Sequence, residues 1–294
     1  MKYSHRNLLC ISALLAVLSG CAASIDDAEE IGQSVGDAMA SVDESAGNNS
    51  GGFGWLPFDS GRAVRYAERT PMDTLQNWLV PETQAAACWA TATFGTCTAG
   101  VMTRTFGGCT LVGVTLNGTV TLTFSDTACS MASTGNSVSR SPNFTLTGRR
   151  GATLTISPDN GGSQTVTRTG ANAFTYSNSG IRRVATSVGG ATLFDLSFKT
   201  TTAIGVTGAT RATRVLDGGT LQITHNTKSY VVALSPSQVT WSSSCSCAVS
   251  GTWSGTVSGT YSGNFTVEIT GCGTAKVTSN GASEDITLDR CAGV

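Results

Sequence analysis

Val114-Thr115-Leu116-Asn117-Gly118-Thr119-Val120-Thr121-Leu122 decides how this chain is read. Apolar residues alternate with threonine, the period-two pattern of a strand with one face in a core. Asn-Gly is the preferred pair for a tight two-residue hairpin, so the stretch predicts two antiparallel strands folded about Asn117-Gly118. Outward from it the same signals recur. Turn marks stand at Asp159-Asn160-Gly161-Gly162, Gly189-Gly190, Asp217-Gly218-Gly219 and Asn280-Gly281. Between them lie strand candidates at 144–147, 152–156, 164–168, 191–198, 220–224, 229–234 and 285–288. No long helical period interrupts them. Short spacings and regular turns predict an all-β domain over 88–294, an antiparallel β-sandwich or barrel-like fold, with a subdomain division near 216 as an option.

A four-residue repeat closes this half: Ser250-Gly-Thr-Trp253, Ser254-Gly-Thr-Val257, Ser258-Gly-Thr-Tyr261, Ser262-Gly-Asn-Phe265. Four is even, so Trp253, Val257, Tyr261 and Phe265 share one strand face, with Gly255, Gly259 and Gly263 between them. Thr252, Ser254, Thr256, Ser258, Thr260 and Ser262 line the other. Glycine beside a large ring lets a neighbouring strand fit close. An unbroken strand of this length would run ~55 Å, far beyond the usual five or six residues, so a break at a glycine is expected.

Cysteine usage points to an oxidising compartment. Cys88, Cys97, Cys109, Cys129, Cys245, Cys247, Cys272 and Cys291 form two sequence clusters of four, read as disulfide partners. Folding about Asn117-Gly118 favours Cys109–Cys129, leaving Cys88–Cys97. A bridge across one intervening residue is strained, so Cys245 and Cys247 should each clasp one of Cys272 and Cys291. Cys245-x-Cys247 lacks the companion pair of a zinc site, and no metal site is read.

Catalytic constellations are missing from the sequence. Beyond the export segment a single histidine remains, His225, read as a solvent-facing turn residue. There is no Gly-x-Ser-x-Gly elbow and no phosphate-cradling Gly-Lys-Ser/Thr motif. Asp159-Asn160-Gly161 lacks the acidic ladder of a calcium loop. No catalytic residue, cofactor or metal is therefore assigned. Two features remain as candidate binding surfaces: the arginines Arg149, Arg150, Arg182, Arg183, Arg211 and Arg214, and the repeat with its Trp253, Tyr261 and hydroxyl row. Gathered arginines would suit anionic groups; solubilising charge and an ordinary polar sheet face are the plainer readings.

Charge is unevenly placed. Residues 22–50 hold seven acids (Asp26, Asp27, Glu29, Glu30, Asp37, Asp43, Glu44) and no base. From residue 51 onward the chain carries 12 acids and 16 bases, too mild an excess for a nucleic-acid binder. Ile31, Val35, Met39 and Val42 recur at helical spacing in the acidic segment, which Asn48-Asn49-Ser50-Gly51-Gly52 ends. Thr70-Pro71-Met72-Asp73 can cap a short helix carrying Leu75, Trp78 and Leu79, stopped by Pro81.

At the N-terminus, Lys2 and Arg6 precede an apolar run from Leu8 to Val17, too short to span a bilayer, and then Leu18-Ser19-Gly20-Cys21. This ending resembles the lipobox of bacterial lipoproteins. The resemblance implies a signal peptide over 1–20 and lipidation of Cys21. With Ala22 rather than Asp after the cysteine, similarity to enterobacterial sorting implies the outer membrane.

The expected organisation is thus a signal peptide, a lipid-anchored acidic spacer at 21–54, a small helical collar at 55–87 and the β-domain at 88–294. The expected function is that of a non-enzymatic cell-envelope lipoprotein, structural, adhesive or partner-binding. Its partners would be the membrane, through the lipid, and an envelope glycan or another surface protein. The alternative is a carrier module with a β-barrel cavity for a lipid or another apolar envelope ligand.

Overall fold

The computed structural model describes residues 21–22, 93–111, 114–245 and 247–288. The expected signal peptide, the expected acidic spacer beyond Ala22 and the expected helical collar lie outside the described residues. What is described is antiparallel β-structure, apart from one 3-10 turn at Arg211–Thr213 and one two-residue parallel bridge.

In chain order the strands are β1 (Cys21–Ala22), β2 (Thr93–Phe94), β3 (Val101–Leu111), β4 (Val114–Phe124), β5 (Ser137–Thr147) and β6 (Thr153–Pro158). Then come β7 (Gln164–Gly170), β8 (Ala173–Asn178), β9 (Ile181–Thr186), β10 (Thr192–Thr202), β11 (Ile204–Thr207) and β12 (Val215–Asp217). The chain continues through β13 (Thr220–His225), β14 (Tyr230–Trp241), β15 (Ala248–Gly259), β16 (Tyr261–Gly271), β17 (Thr274–Ser279) and β18 (Ala282–Thr287).

Two of these strands fork. Phe144–Thr147 of β5 pairs with β6, whereas Ser137–Arg140 pairs with β7. In β14, Tyr230–Leu234 pairs with β13, and Val239 and Thr240 pair with β12. One wall therefore runs β6–β9–β10–β13 and the other β7–β8–β11–β12, and both meet β5 at one side and β14 at the other. The result is a flattened, closed sandwich without free edges along those sides. β4, β3 and β2 extend the sheet beyond β5, and β15 to β18 extend it beyond β14.

A proline marks each fork. Pro142 lies between the two halves of β5, and Pro236 between those of β14. The Gly218 N–H donates to the Pro236 carbonyl at 3.0 Å, so this residue's backbone edge faces the divergence. A residue there with an N–H would present a donor where the partner strands separate; proline has none.

Alternation holds along most strands. In β13 Leu221, Ile223 and His225 point inward, and in β5 Val138, Arg140, Phe144 and Leu146 do. Two apolar clusters result. The larger gathers Tyr176, Phe198, Ile204, Leu216, Leu221, Tyr230, Trp253 and Phe265; the smaller packs Phe106, Leu116 and Val120 against Phe144, Leu154 and Ile181.

The predicted turns at 159–162, 189–190, 217–219 and 280–281 all join consecutive strands. At Asn280-Gly281, Ser279 pairs with Ala282 and the turn residues have φ of 50° and 87°, the left-handed pair a type I′ turn needs. Asn117-Gly118 is a correction. It is not a turn but lies inside β4, opposite Gly107 and Phe106. Gly118 has φ 123°, and a Cβ there would fall 2.3 Å from the Asn143 carbonyl oxygen of β5. Close approach of a third strand, invisible in the local pattern, explains that glycine.

The cysteine pairing changes with it. Cys97 bridges Cys129, so neither Cys109–Cys129 nor Cys88–Cys97 forms. With the real register, Cys109 stands opposite Leu116. The residues before β3 instead reach those after β4: the Gly100 N–H donates to the Thr127 carbonyl at 3.0 Å. In the second cluster Cys245 bridges Cys272 across the β15–β16 hairpin, and Cys247 is also disulfide-bonded, with its partner outside the described residues.

The repeat breaks where glycine permits. β15 ends at Gly259 (φ 110°) and β16 begins at Tyr261. Trp253, Val257 and Phe265 are buried on the expected common face.

Candidate functional site

Several polar side chains occupy positions in phase with the apolar, inward-facing ones. Gln164 is in phase with Val166, Asn178 with Tyr176, Arg183 with Ile181 and Ala185, and Arg140 with Val138. All are buried, as is Tyr176. They meet inside the sandwich. Gln164 Nε2 donates to Tyr176 Oη at 3.2 Å, and Asn178 Nδ2 donates to the same oxygen at 3.4 Å. Asn178 Oδ1 accepts the Gly180 N–H at 2.9 Å, which sets the orientation of that amide. Burial pushes the Tyr176 phenol above its ordinary range; the two amide bonds and the charges of Arg183 and Arg140 pull the other way. The Arg183 guanidinium lies 5.2 Å from the centre of the Phe198 ring. Gln164, Tyr176, Asn178, Ile181, Arg183, Phe198 and Leu221 enclose a cavity of about 10 Å³, room for one water-sized body. The sequence signal was present: a polar residue in the apolar phase of a strand.

The arginines named from sequence do not gather. Arg149 and Arg150 are exposed in the turn from β5 to β6, at the Thr153 end of β6. Arg182 pairs in register with Ser157, at the other end of that strand. Arg183 is interior, a correction to its place in a binding surface, because it shares the inward phase of Ile181. Arg214 is buried too, 6.0 Å from the centre of a Trp241 ring. Arg211 lies in the 3-10 turn. Trp253 is 0% exposed, so it also cannot belong to a surface; the inward face of β15 that carries it is core. Tyr261 is half-buried, its ring 5.3 Å from that of Tyr230. Cys21 and Ala22 pair in parallel with Tyr261 and Ser262.

Hydroxyls on the outer faces bond to one another across strands, at 2.7 Å for Ser139–Thr165, 2.6 Å for Thr153–Thr186 and 2.6 Å for Thr240–Ser250. These pairs stiffen the sheet. In the repeat, Ser254, Thr256 and Ser258 are exposed, as alternation requires.

His225 is a further correction. It is 0% exposed, because it continues the inward phase of Leu221 and Ile223 to the end of β13. Its Nδ1 accepts the Lys228 N–H at 3.2 Å, and its ring lies 4.9 Å from that of Tyr230. Beside it, Asp195 accepts two hydrogen bonds from Arg182 and one from Asn226 Nδ2 at 2.9 Å. The Arg182 bonds, ahead of Asn226 and the charges of Arg182 and His225, hold the Asp195 carboxyl below its ordinary range against the opposing effect of burial. A carboxyl lowered in the folded state stabilises above its unfolded pKa, and that contribution is lost as pH falls through the folded one. The urea midpoint of the wild type should therefore fall below pH ~4 more steeply than that of Asp195→Asn. Equal slopes would show that this pair contributes nothing measurable, as half-exposed ion pairs often do.

Comparison with protein-family models, with curated proteins and with solved structures found no match.

Proposed function

We propose that this chain is a lipid-anchored cell-envelope protein, held at the outer membrane by acyl chains on Cys21, whose β-domain presents a rigid outer face to an envelope glycan or another surface protein. The domain is structural or adhesive, not catalytic. The observation that supports presentation over carriage is the close packing of the interior among the described residues. Trp253, Tyr176, Tyr230 and Phe265 are each at most 2% exposed, and the space beside Tyr176 is about 10 Å³. A carrier of drug-sized or lipid ligands needs a pocket of roughly 300 Å³ or more. Cross-strand hydroxyl pairs and the Cys97–Cys129 and Cys245–Cys272 bridges fit a stiff module held outside the cytosol.

The anchor is tested by fractionating cells that express the wild type or Cys21→Ser, with surface protease shaving of each. Wild type should sediment with membranes and the variant should appear in the soluble fraction. Membrane association that survives the substitution would remove the anchor from the account.

A further inference from the structure

We propose that the end of the sheet bearing the β9–β10 hairpin tip is a membrane-docking surface that seats the β-domain on a phospholipid bilayer, given the lipid-anchor reading of Cys21 on which this rests. Among the described residues three large apolar side chains are exposed: Val101, Val188 and Leu193, at 39%, 54% and 47%. Two of them belong to one hairpin. From Val184 to Phe194 the chain has no charged residue, and residues 188–193, Val-Gly-Gly-Ala-Thr-Leu, are all exposed. A single exposed apolar residue needs no explanation, but an uncharged tip holding Val188, Ala191 and Leu193 in the open is the composition of a segment that enters a lipid interface.

Register puts this tip at the same end of the sheet as the anchor. Leu196 of β10 pairs with His225 of β13, His225 with Tyr230 of β14, and Tyr230 with Gly259 of β15. The β15–β16 turn follows at once, and the backbone of Cys21 and Ala22 pairs with Tyr261 and Ser262 just beyond it. Cys21 thus lies near the row of Leu196, five strands along, about 24 Å away at ~4.8 Å per strand. Leu193 stands three residues past that row toward the tip, about 10 Å at ~3.4 Å per residue. That protrusion matches the ~5–10 Å to which interfacial apolar groups enter the headgroup boundary. The β5–β6 turn adjoins the tip, because Thr153 pairs with Thr186, and it bears the exposed Arg149, a side chain suited to a lipid phosphate. The turns at 148–152, 187–191, 226–229 and 280–281 contain no acid. Val101 opens β3 opposite Thr123, at the other end of the strands, where Asp126 follows in the adjoining loop.

The full chain, reconstituted into vesicles of phosphatidylethanolamine and phosphatidylglycerol with brominated acyl chains, tests this. Indole reporters are placed singly by Val188→Trp, Leu193→Trp and, at the opposite end, Val101→Trp, with the wild type giving the background of the native indoles. The Val188→Trp and Leu193→Trp signals should shift to the blue and lose most of their added emission to bromine; the Val101→Trp signal should do neither. Flotation of the wild type and of Cys21→Ser with the same vesicles reads the anchor separately. If the wild type floats, Cys21→Ser does not, and the tip indoles stay unquenched, the anchor stands and the docking surface is overturned. If Cys21→Ser floats as fully as the wild type with both tip indoles quenched, the docking surface stands and the anchor reading falls. Quenching of Val101→Trp equal to that at the tip, or a wild type that does not float, would also overturn the docking surface.

Discussion

Gly255→Ala is expected to destabilise the domain by about 3 kcal/mol or more, enough to unfold much of the population of a domain of ordinary stability near body temperature. Gly255 of β15 faces Leu234 of β14 on one side and Phe265 of β16 on the other. A Cβ at this position would sit 1.8 Å from the Ala233 carbonyl oxygen and 3.0 Å from the Leu234 Cα. Both are backbone atoms of a strand hydrogen-bonded on its two edges, so no rotamer change relieves the clash. The strands must part, and the β14–β15 ladder is the seam through which both walls join the outer sheet. Gly107→Ala is the control, because nothing lies within 4 Å of a Cβ there. Denaturant midpoints should fall sharply for the first variant and stay near wild type for the second. A Gly255→Ala protein as stable as the control would mean that these strands lie farther apart than described.

Trp253→Ala should cost about 3–5 kcal/mol, the range for emptying a fully buried large ring. Trp253 is the largest fully buried side chain of the described residues and lies in the larger apolar cluster. Its Nε1 has no hydrogen-bond partner among the described residues, an unfavourable burial in itself. Trp253→Phe therefore gives up ring volume but also removes an unsatisfied donor, and should cost well under half as much. Guanidinium unfolding of the two variants checks the order. If Phe proves as damaging as Ala, the indole N–H has a partner, and volume alone does not explain the site.

Much of the fold was legible in the chain. Period-two alternation in 144–147, 152–156 and 220–224 gave strands of the expected type, because side-chain facing in a strand is a local property. Asn280-Gly281 was read correctly as a turn. The dipeptide at Asn117-Gly118 carries the same local signal and is not one, since the Asn143 carbonyl claims the space a side chain would need. Cys97 and Cys129 were out of reach for the same reason: once the hairpin is centred on the wrong residues, every cross-strand neighbour shifts. Arg140, Gln164, Asn178 and Arg183 were legible in principle as polar residues in an apolar phase, yet only a folded interior brings them around one phenol. The prolines at the two forks were visible as well. What they terminate, a ladder that changes partner midway along a strand, depends on residues as far apart in the chain as Ser137 and Thr167.

From its own residues the chain determined a cysteine-stapled antiparallel β-protein with defined inward and outward faces, because alternation and tight turns are each written over a few neighbouring positions. Tertiary structure decided which glycine is a turn and which a contact, which cysteines meet, and that the sheet divides at β5 and rejoins at β14 around a polar centre. Those outcomes depend on which distant strand arrives at a given backbone edge, and register between strands is settled only when all of them pack at once.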